Sequence, residues 1–172
     1  VGCCDGMQLG LNTRAGVITR GLAEMRRLGE RLGANPVTFL GLSGVGDLVL
    51  TCTGELSRNR SVGLEIGRGR SVEEVLGSLQ QVAEGVRTAQ STYQLAQKLG
   101  VEMPITEATY QVLHEGKDPR RAFRELMARQ PKWTIGELFE NAPGDSLVAK
   151  AQWCDLVSYL PCDILTKVRR GS

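Results

Sequence analysis

The chain has 172 residues, 41% of them hydrophobic, with 21 Lys and Arg against 19 Asp and Glu for a net charge of +2. That content suffices for one buried core and leaves room for a short second unit. No basic block or aromatic-interleaved stripe is present that would follow a nucleic-acid backbone, which argues against DNA or RNA as the main partner.

The cysteines Cys3, Cys4, Cys52, Cys154 and Cys162 form no CxxC pair and have only His114 as a companion, so reduced thiols in a cytoplasmic protein, with no metal site, are expected. No apolar run is long enough to span a bilayer, and Val1-Gly2-Cys3-Cys4 lacks the regions of a signal peptide. The dominant period is helical. From Asn12 onward, Ala15, Ile18, Leu22, Met25, Leu28 and Leu32 recur at steps of three and four, lining one face and leaving Arg14, Arg20, Glu24, Arg27 and Glu30 largely outside it. Asn12 is the predicted cap of this helix and Gly33 its stop. Asn35 before Pro36 predicts a short helix over Val37 to Leu40, and Ser71 with Glu74 forms a capping-box pattern. A helix is predicted from Glu84 to Leu99, closed by Gly100, and another opens at Pro104 and closes at Gly116. Asp118-Pro119 then caps and starts DPRRAFRELMAR. No alternating strand pattern occurs in this part, so residues 1–129 read as an all-α body with short connections. The tail, 130–172, differs in character. Turn signals at Gly136 and Ala142-Pro143-Gly144 precede a predicted helix over 145–160, whose apolar face (Leu147, Ala151, Cys154, Val157, Leu160) needs the body or a second copy of the chain to cover it.

The segment GVGDLVLTCTGELSRNRSVG, Gly44 to Gly63, concentrates the chemistry. A phosphate monoester is best held by a planar guanidinium, small hydroxyl or amide donors and the free N–H groups of a helix start. Ser57, Arg58 and Asn59 supply these side-chain types consecutively, with a helix predicted from Arg60 to Ile66. The bland alternative is that Ser57 or Asn59 only caps that helix and both arginines are solvated. Asp47 has two readings as well. It either caps a helix over Leu48 to Cys52, or serves as a carboxylate that holds a catalytic ammonium or a substrate hydroxyl beside apolar Val45, Leu48 and Val49. Cys52 reads as a small buried filler and His114 as a partner for the C-terminal end of its helix dipole.

Taken in order and spacing, GLNTRAGVITRGLAEMRRLG, FLGLSGVGDLVLTCTGELSRNRSVG, QVAEGVRTAQ and GVEMPITEATYQVL resemble the C-terminal domain of bacterial-type NAD(P)-dependent glycerol-3-phosphate dehydrogenase, over about Val1 to Arg129. The resemblance implies an all-α domain of the glycerol-3-phosphate dehydrogenase and 6-phosphogluconate dehydrogenase-like type, which follows a Rossmann domain in the family. It implies interconversion of dihydroxyacetone phosphate and sn-glycerol 3-phosphate with NAD or NADP as cofactor, feeding glycerophospholipid synthesis. By position, Asp47 matches the family's substrate-site aspartate, Ser57, Arg58 and Asn59 its substrate-binding triplet, and Arg58, Val82 and Glu84 residues near the dinucleotide. Asn12 lies near the same site. The family's proton-transferring lysine precedes the stretch matching Val1 to Gly6, and no glycine-rich turn follows a strand. These 172 residues alone are therefore expected to be inactive and to bind the dinucleotide weakly. Expected partners are the substrate, a Rossmann domain and, as a candidate assembly, a homodimer. A non-catalytic helical interaction module is the second functional class the sequence leaves open.

Overall fold

A computed structural model of the chain describes residues 1–78 and 84–129. Val1–Leu126 make up one compact unit, and a second begins at Met127. Among the described residues the regular elements are helical and no strand occurs, as the all-α expectation requires. The predicted tail helix over 145–160 and the cofactor-site residue Val82 lie outside the described residues.

The α-helices run in chain order as α1 (Gly2–Gly6), α2 (Leu11–Arg31), α3 (Asp47–Thr53), α4 (Arg58–Gly67), α5 (Val72–Gly77), α6 (Glu84–Leu99), α7 (Pro104–His114) and α8 (Pro119–Ala128). A 3-10 turn, Pro36–Leu40, and a π-helical turn, Leu42–Gly46, stand between α2 and α3. Several boundaries follow from the capping chemistry already named. The Asn35 side chain accepts from Val37 N at 3.0 Å with Pro36 at the first position. Ser71 and Glu74 make both bonds of the capping box, and Asp118 accepts from Arg121 N at 2.7 Å. Gly33, Gly100 and Gly116 adopt positive φ just past α2, α6 and α7, where an L side chain would be strained.

The α2 reading needs two corrections. Its N-cap is Gly10, at φ 87°, and not Asn12, which is exposed inside the first turn. The Thr13 hydroxyl donates to the Leu9 carbonyl at 2.9 Å, tying that turn to the incoming chain. The buried line of α2 is Thr13, Val17, Glu24 and Gly29, while the predicted stripe members Ile18, Leu22, Met25 and Leu28 are half-buried and Ala15 and Leu32 are exposed. The face is rotated because two of its polar residues are satisfied inside the fold. Glu24, 3% exposed, accepts from Ile105 N at 2.6 Å and from Thr106 N and Oγ1 at 3.1 Å each. It thereby caps the first turn of α7, whose own cap position, Met103, offers no side-chain bond. Burial pushes the Glu24 carboxyl above its ordinary value, and the donors from Ile105 and Thr106 oppose that shift.

The core gathers Val62 and Ile66 of α4, Val75 of α5, Val112 of α7 and Ala122 of α8, with Cys3, Val86 and Leu113 packed against them. Glycines set the closest approach. A Cβ on Gly2 or Gly6 would overlap the carbonyls of Arg60 and Leu64, and a Cβ on Gly63 would come within 2.9 Å of Cys3 N. Helix α1 therefore lies backbone to backbone on α4, a contact only glycine permits.

Candidate functional site

The triplet Ser57, Arg58, Asn59 forms the start of α4. Ser57 is the N-cap, in extended backbone, and its hydroxyl accepts from Arg60 N at 3.3 Å. Arg58 and Asn59 occupy the first two helical positions and are exposed. The capping reading of Ser57 therefore holds, and it leaves the early N–H groups of a ten-residue helix at the same place as an exposed guanidinium and carboxamide. Asn59 Oδ1 and Nδ2 lie so close to Gly85 Cα that any side chain at 85 would collide with them. Glu84, exposed at the start of α6, is the neighbour of that glycine. The fold thus brings Asn59 and the Glu84-Gly85 corner together.

The alternative of two solvated arginines fails for Arg60. Asp5 of α1 has a side chain only 9% exposed, and its two oxygens divide between two guanidinium groups. Oδ1 accepts from Arg14 Nε and Nη2 at 2.9 Å each, and Oδ2 accepts from Arg60 Nε at 3.0 Å and Nη2 at 2.9 Å. The sequence reading missed this cluster, although a cue exists. Arg14 and Arg60 both sit near helix N-termini, where the dipole disfavours positive charge, so a nearby carboxylate is required.

Asp47 begins α3 and is exposed. It caps nothing: the N-cap is Gly46, with no side-chain bond, so the capping alternative is not realised. Nor is Asp47 desolvated by its apolar neighbours, contrary to the cost argued from Val45, Leu48 and Val49. Its position is set from behind. A Cβ on Gly44 would overlap the backbone of Phe39, and one on Gly29 the Phe39 ring, so Phe39 is pinned between α2 and the π-helical turn that leads into Asp47. Helix α3 packs against α2 and α4, so Asp47 and the triplet stand on adjoining elements.

A cavity of about 300 Å³ opens among α1, α2, α4, α6, α7 and α8, lined mostly by aliphatic side chains such as Val17, Val62, Ile105 and Val112. Of the described residues nominated from sequence, Asn59 alone lines it, so their anion chemistry sits at its rim and outside it. Burial raises the thiols of Cys3, Cys4 and Cys52 above their ordinary value, so they stay protonated fillers at neutral pH. His114, the last residue of α7, lies with Nε2 3.1 Å from the Val86 carbonyl and its ring against Tyr110. Among the described residues no group of three or more His, Cys, Asp or Glu could hold a metal ion, and no helix is long and apolar enough to cross a membrane.

The family profile described as NAD-dependent glycerol-3-phosphate dehydrogenase C-terminus matches residues 1–124. The glycerol-3-phosphate dehydrogenase [NAD(P)+] of Geobacter metallireducens is 61% identical over 131 residues, and that of Myxococcus xanthus 58%. Each match covers 76% of this chain and 39% of the relative, so the chain spans about two fifths of their length. The crystal structure of glycerol-3-phosphate dehydrogenase from Coxiella burnetii superposes with a TM-score of 0.72 at 46% identity, over 74% of this chain and 39% of that one. With a family match across α1 to α8 and a shared fold, this chain belongs to the NAD-dependent glycerol-3-phosphate dehydrogenase C-terminal family.

Proposed function

We propose that this chain is the substrate-binding part of an oxidoreductase that interconverts sn-glycerol 3-phosphate and dihydroxyacetone phosphate, working with a dinucleotide-binding domain. The observation that carries the reading is the head of α4, where Ser57, Arg58 and Asn59 share one helix N-terminus. Arg58 gives parallel hydrogen bonds to phosphate oxygens, and Ser57 and Asn59 donate to those oxygens or to the substrate hydroxyls. Asp47, on the adjoining α3, orients the group that transfers the proton to the substrate oxygen.

The dinucleotide chemistry fits these residues only at an edge. Among the described residues no strand is present to carry a glycine-rich turn, while Arg58 and Glu84 are exposed polar groups beside the Asn59-Gly85 contact. Arg58 and Glu84, with Val82, would touch the NAD or NADP that another domain holds; when bound, it supplies or accepts the hydride. The surface assigned to that domain is the segment from Val37 to Leu56, which exposes Val37, Leu40, Leu42, Leu50 and Leu56 and carries Asp47 in its midst. A homodimer through the same surface is the competing occupant.

The test joins the 172-residue chain to the Geobacter metallireducens relative in place of its matched segment and follows oxidation of the reduced dinucleotide by dihydroxyacetone phosphate. Arg58→Lys keeps the charge and loses the planar fork, so kcat/KM is expected to fall roughly tenfold to a thousandfold. Unchanged kinetics would return Arg58 to a solvated residue at a helix start.

A further inference from the structure

The phosphate anchor proposed above depends on which way the first turn of α4 points, and one carboxylate is ion-paired to that turn. Arg58 and Arg60 are two positions apart, roughly 200° around a helix axis. Arg60, Gly63 and Gly67 share the face of α4 that lies on α1, with the glycines in backbone contact and Arg60 chelating Asp5 Oδ2 through Nε and Nη2. Arg58 leaves the helix on the other side and is exposed. The glycine contacts and the buried Val62 and Ile66 fix the separation and rotation of the body of α4, but no buried side chain anchors its first turn. The directional restraint is the two-pronged ion pair, with side chains 18% and 9% exposed for Arg60 and Asp5. Asp5 is restrained in turn by Arg14, which chelates its other oxygen from α2.

We infer that Asp5 is a positioning residue for the phosphate subsite: through Arg60 it holds the first turn of α4, and with it the aim of Ser57, Arg58 and Asn59. It also commits the Arg60 guanidinium to a protein carboxylate, so that charge does not compete for the phosphate. The inference rests on the proposed reading of the triplet. It predicts a defect largest for dihydroxyacetone phosphate and inorganic phosphate, which a general loss of stability would not single out.

The fused enzyme described above provides the measurement. For Asp5→Asn, KM for dihydroxyacetone phosphate and Ki for inorganic phosphate as a competitor should both rise about tenfold, with kcat within about threefold of the parent and a smaller rise in KM for the dinucleotide, which Arg58 also touches on the proposed reading. Asp5→Glu, which keeps the charge, should recover most of the loss. If Arg58→Ala raises both constants and Asp5→Asn leaves them unchanged, this inference is wrong and the reading of the triplet stands. If Arg58→Ala itself changes neither, the reading of the triplet has failed. A drop in kcat and in the melting temperature together with an equal rise in every KM would make Asp5 a purely structural residue and overturn the inference. Should Asp5→Asn not fold, Arg60→Lys decides the matter. It keeps the ion pair and loses its second prong, so a rise in phosphate Ki of about threefold is expected, and an unchanged Ki overturns the inference.

Discussion

Where α1 meets α4, the two backbones touch through Gly2, Gly6 and Gly63, and a nearly buried carboxylate ties Arg60 and Arg14 together. The segment from Pro36 to Leu56 is constructed otherwise. It runs through a 3-10 turn and a π-helical turn, buries only Gly44 among its residues, and is held by Phe39 against Gly29 and Gly44. The first region presents Ser57, Arg58 and Asn59 from a frame complete within the domain. The second presents Asp47 from a surface whose apolar side chains face outward, as on a component built to be covered. The two sides of the candidate site therefore differ in what holds them: one is held by contacts inside this unit, and the other, on the proposed reading, gains its surroundings on assembly.

The sharpest way to break the frame side is through Glu24. Glu24→Ala removes the acceptor of two helix-start N–H groups and a hydroxyl and leaves a void at a 3% exposed position. Loss of charge-assisted bonds inside the fold is expected to cost about 2 to 4 kcal/mol, read as a fall in urea midpoint. The pH dependence has a defined sign. The folded carboxyl is raised above its ordinary value by desolvation, so the folded protein binds the proton more tightly than the unfolded chain does. Glu24's share of stability is then fully present below the ordinary glutamate value and declines as pH rises through the raised one. The gap in melting temperature between the parent and Glu24→Gln should be widest at acidic pH and narrow as pH rises. A gap that widens with rising pH would show that the hydrogen bonds, and not desolvation, dominate this carboxyl.

How legible these regions were in the sequence follows from the range of the forces that build them. Caps act within four residues, so Asn35, Ser71, Glu74 and Asp118 could be assigned from spacing alone, and the glycines that close α2, α6 and α7 likewise. Glu24 could not be assigned this way. Its partners Ile105 and Thr106 are some eighty positions away, and a period-3.6 reading sends an acidic residue to the solvent face. Asp5 was hidden for the same reason, since Arg60 lies 55 residues along the chain. For the site, the SRN string, the lone Asp47 and the local Ser57 cap were visible as chemistry, but whether Arg60 was solvated depended on α1, a contact through glycines that leave no hydrophobic signature. Gly10 in place of Asn12 as the cap of α2 shows the converse: a good capping side chain yields when the backbone enters at positive φ two residues earlier.

A smaller effect is expected from the α1–α4 contact. Gly63→Ala places a methyl within 2.9 Å of Cys3 N and 3.1 Å of Gly2 Cα, backbone atoms that can move only by shifting α1 as a whole. Overpacking of this kind costs about 1 to 3 kcal/mol. Alanine's better helix propensity, about 1 kcal/mol, offsets part of it. Because α1 carries Asp5, the same substitution should also raise the phosphate Ki of the fused enzyme. A variant as stable as the parent would mean that α1 can lift off α4 without consequence, and would remove the distinction between the two regions.

The smallest effect belongs to the exposed segment, and its smallness in one setting is the point. Leu42 is 90% exposed and Leu56 98%, so in the 172-residue chain neither side chain has much burial to lose. Leu42→Ser and Leu56→Ser should each change stability by no more than about 0.5 kcal/mol, the range for surface substitutions. In the fused enzyme the same leucines are expected to be covered by the dinucleotide domain, and burying a leucine is worth about 1.5 to 3 kcal/mol. The expected outcome is therefore a difference between settings: little change in the melting temperature of the chain alone, and a clear drop, with a raised KM for the dinucleotide, in the fusion. Equally small effects in both settings would show that the segment's apolar side chains are covered by neither a second domain nor a second copy, and Asp47 would then have to be argued as part of a surface complete without assembly.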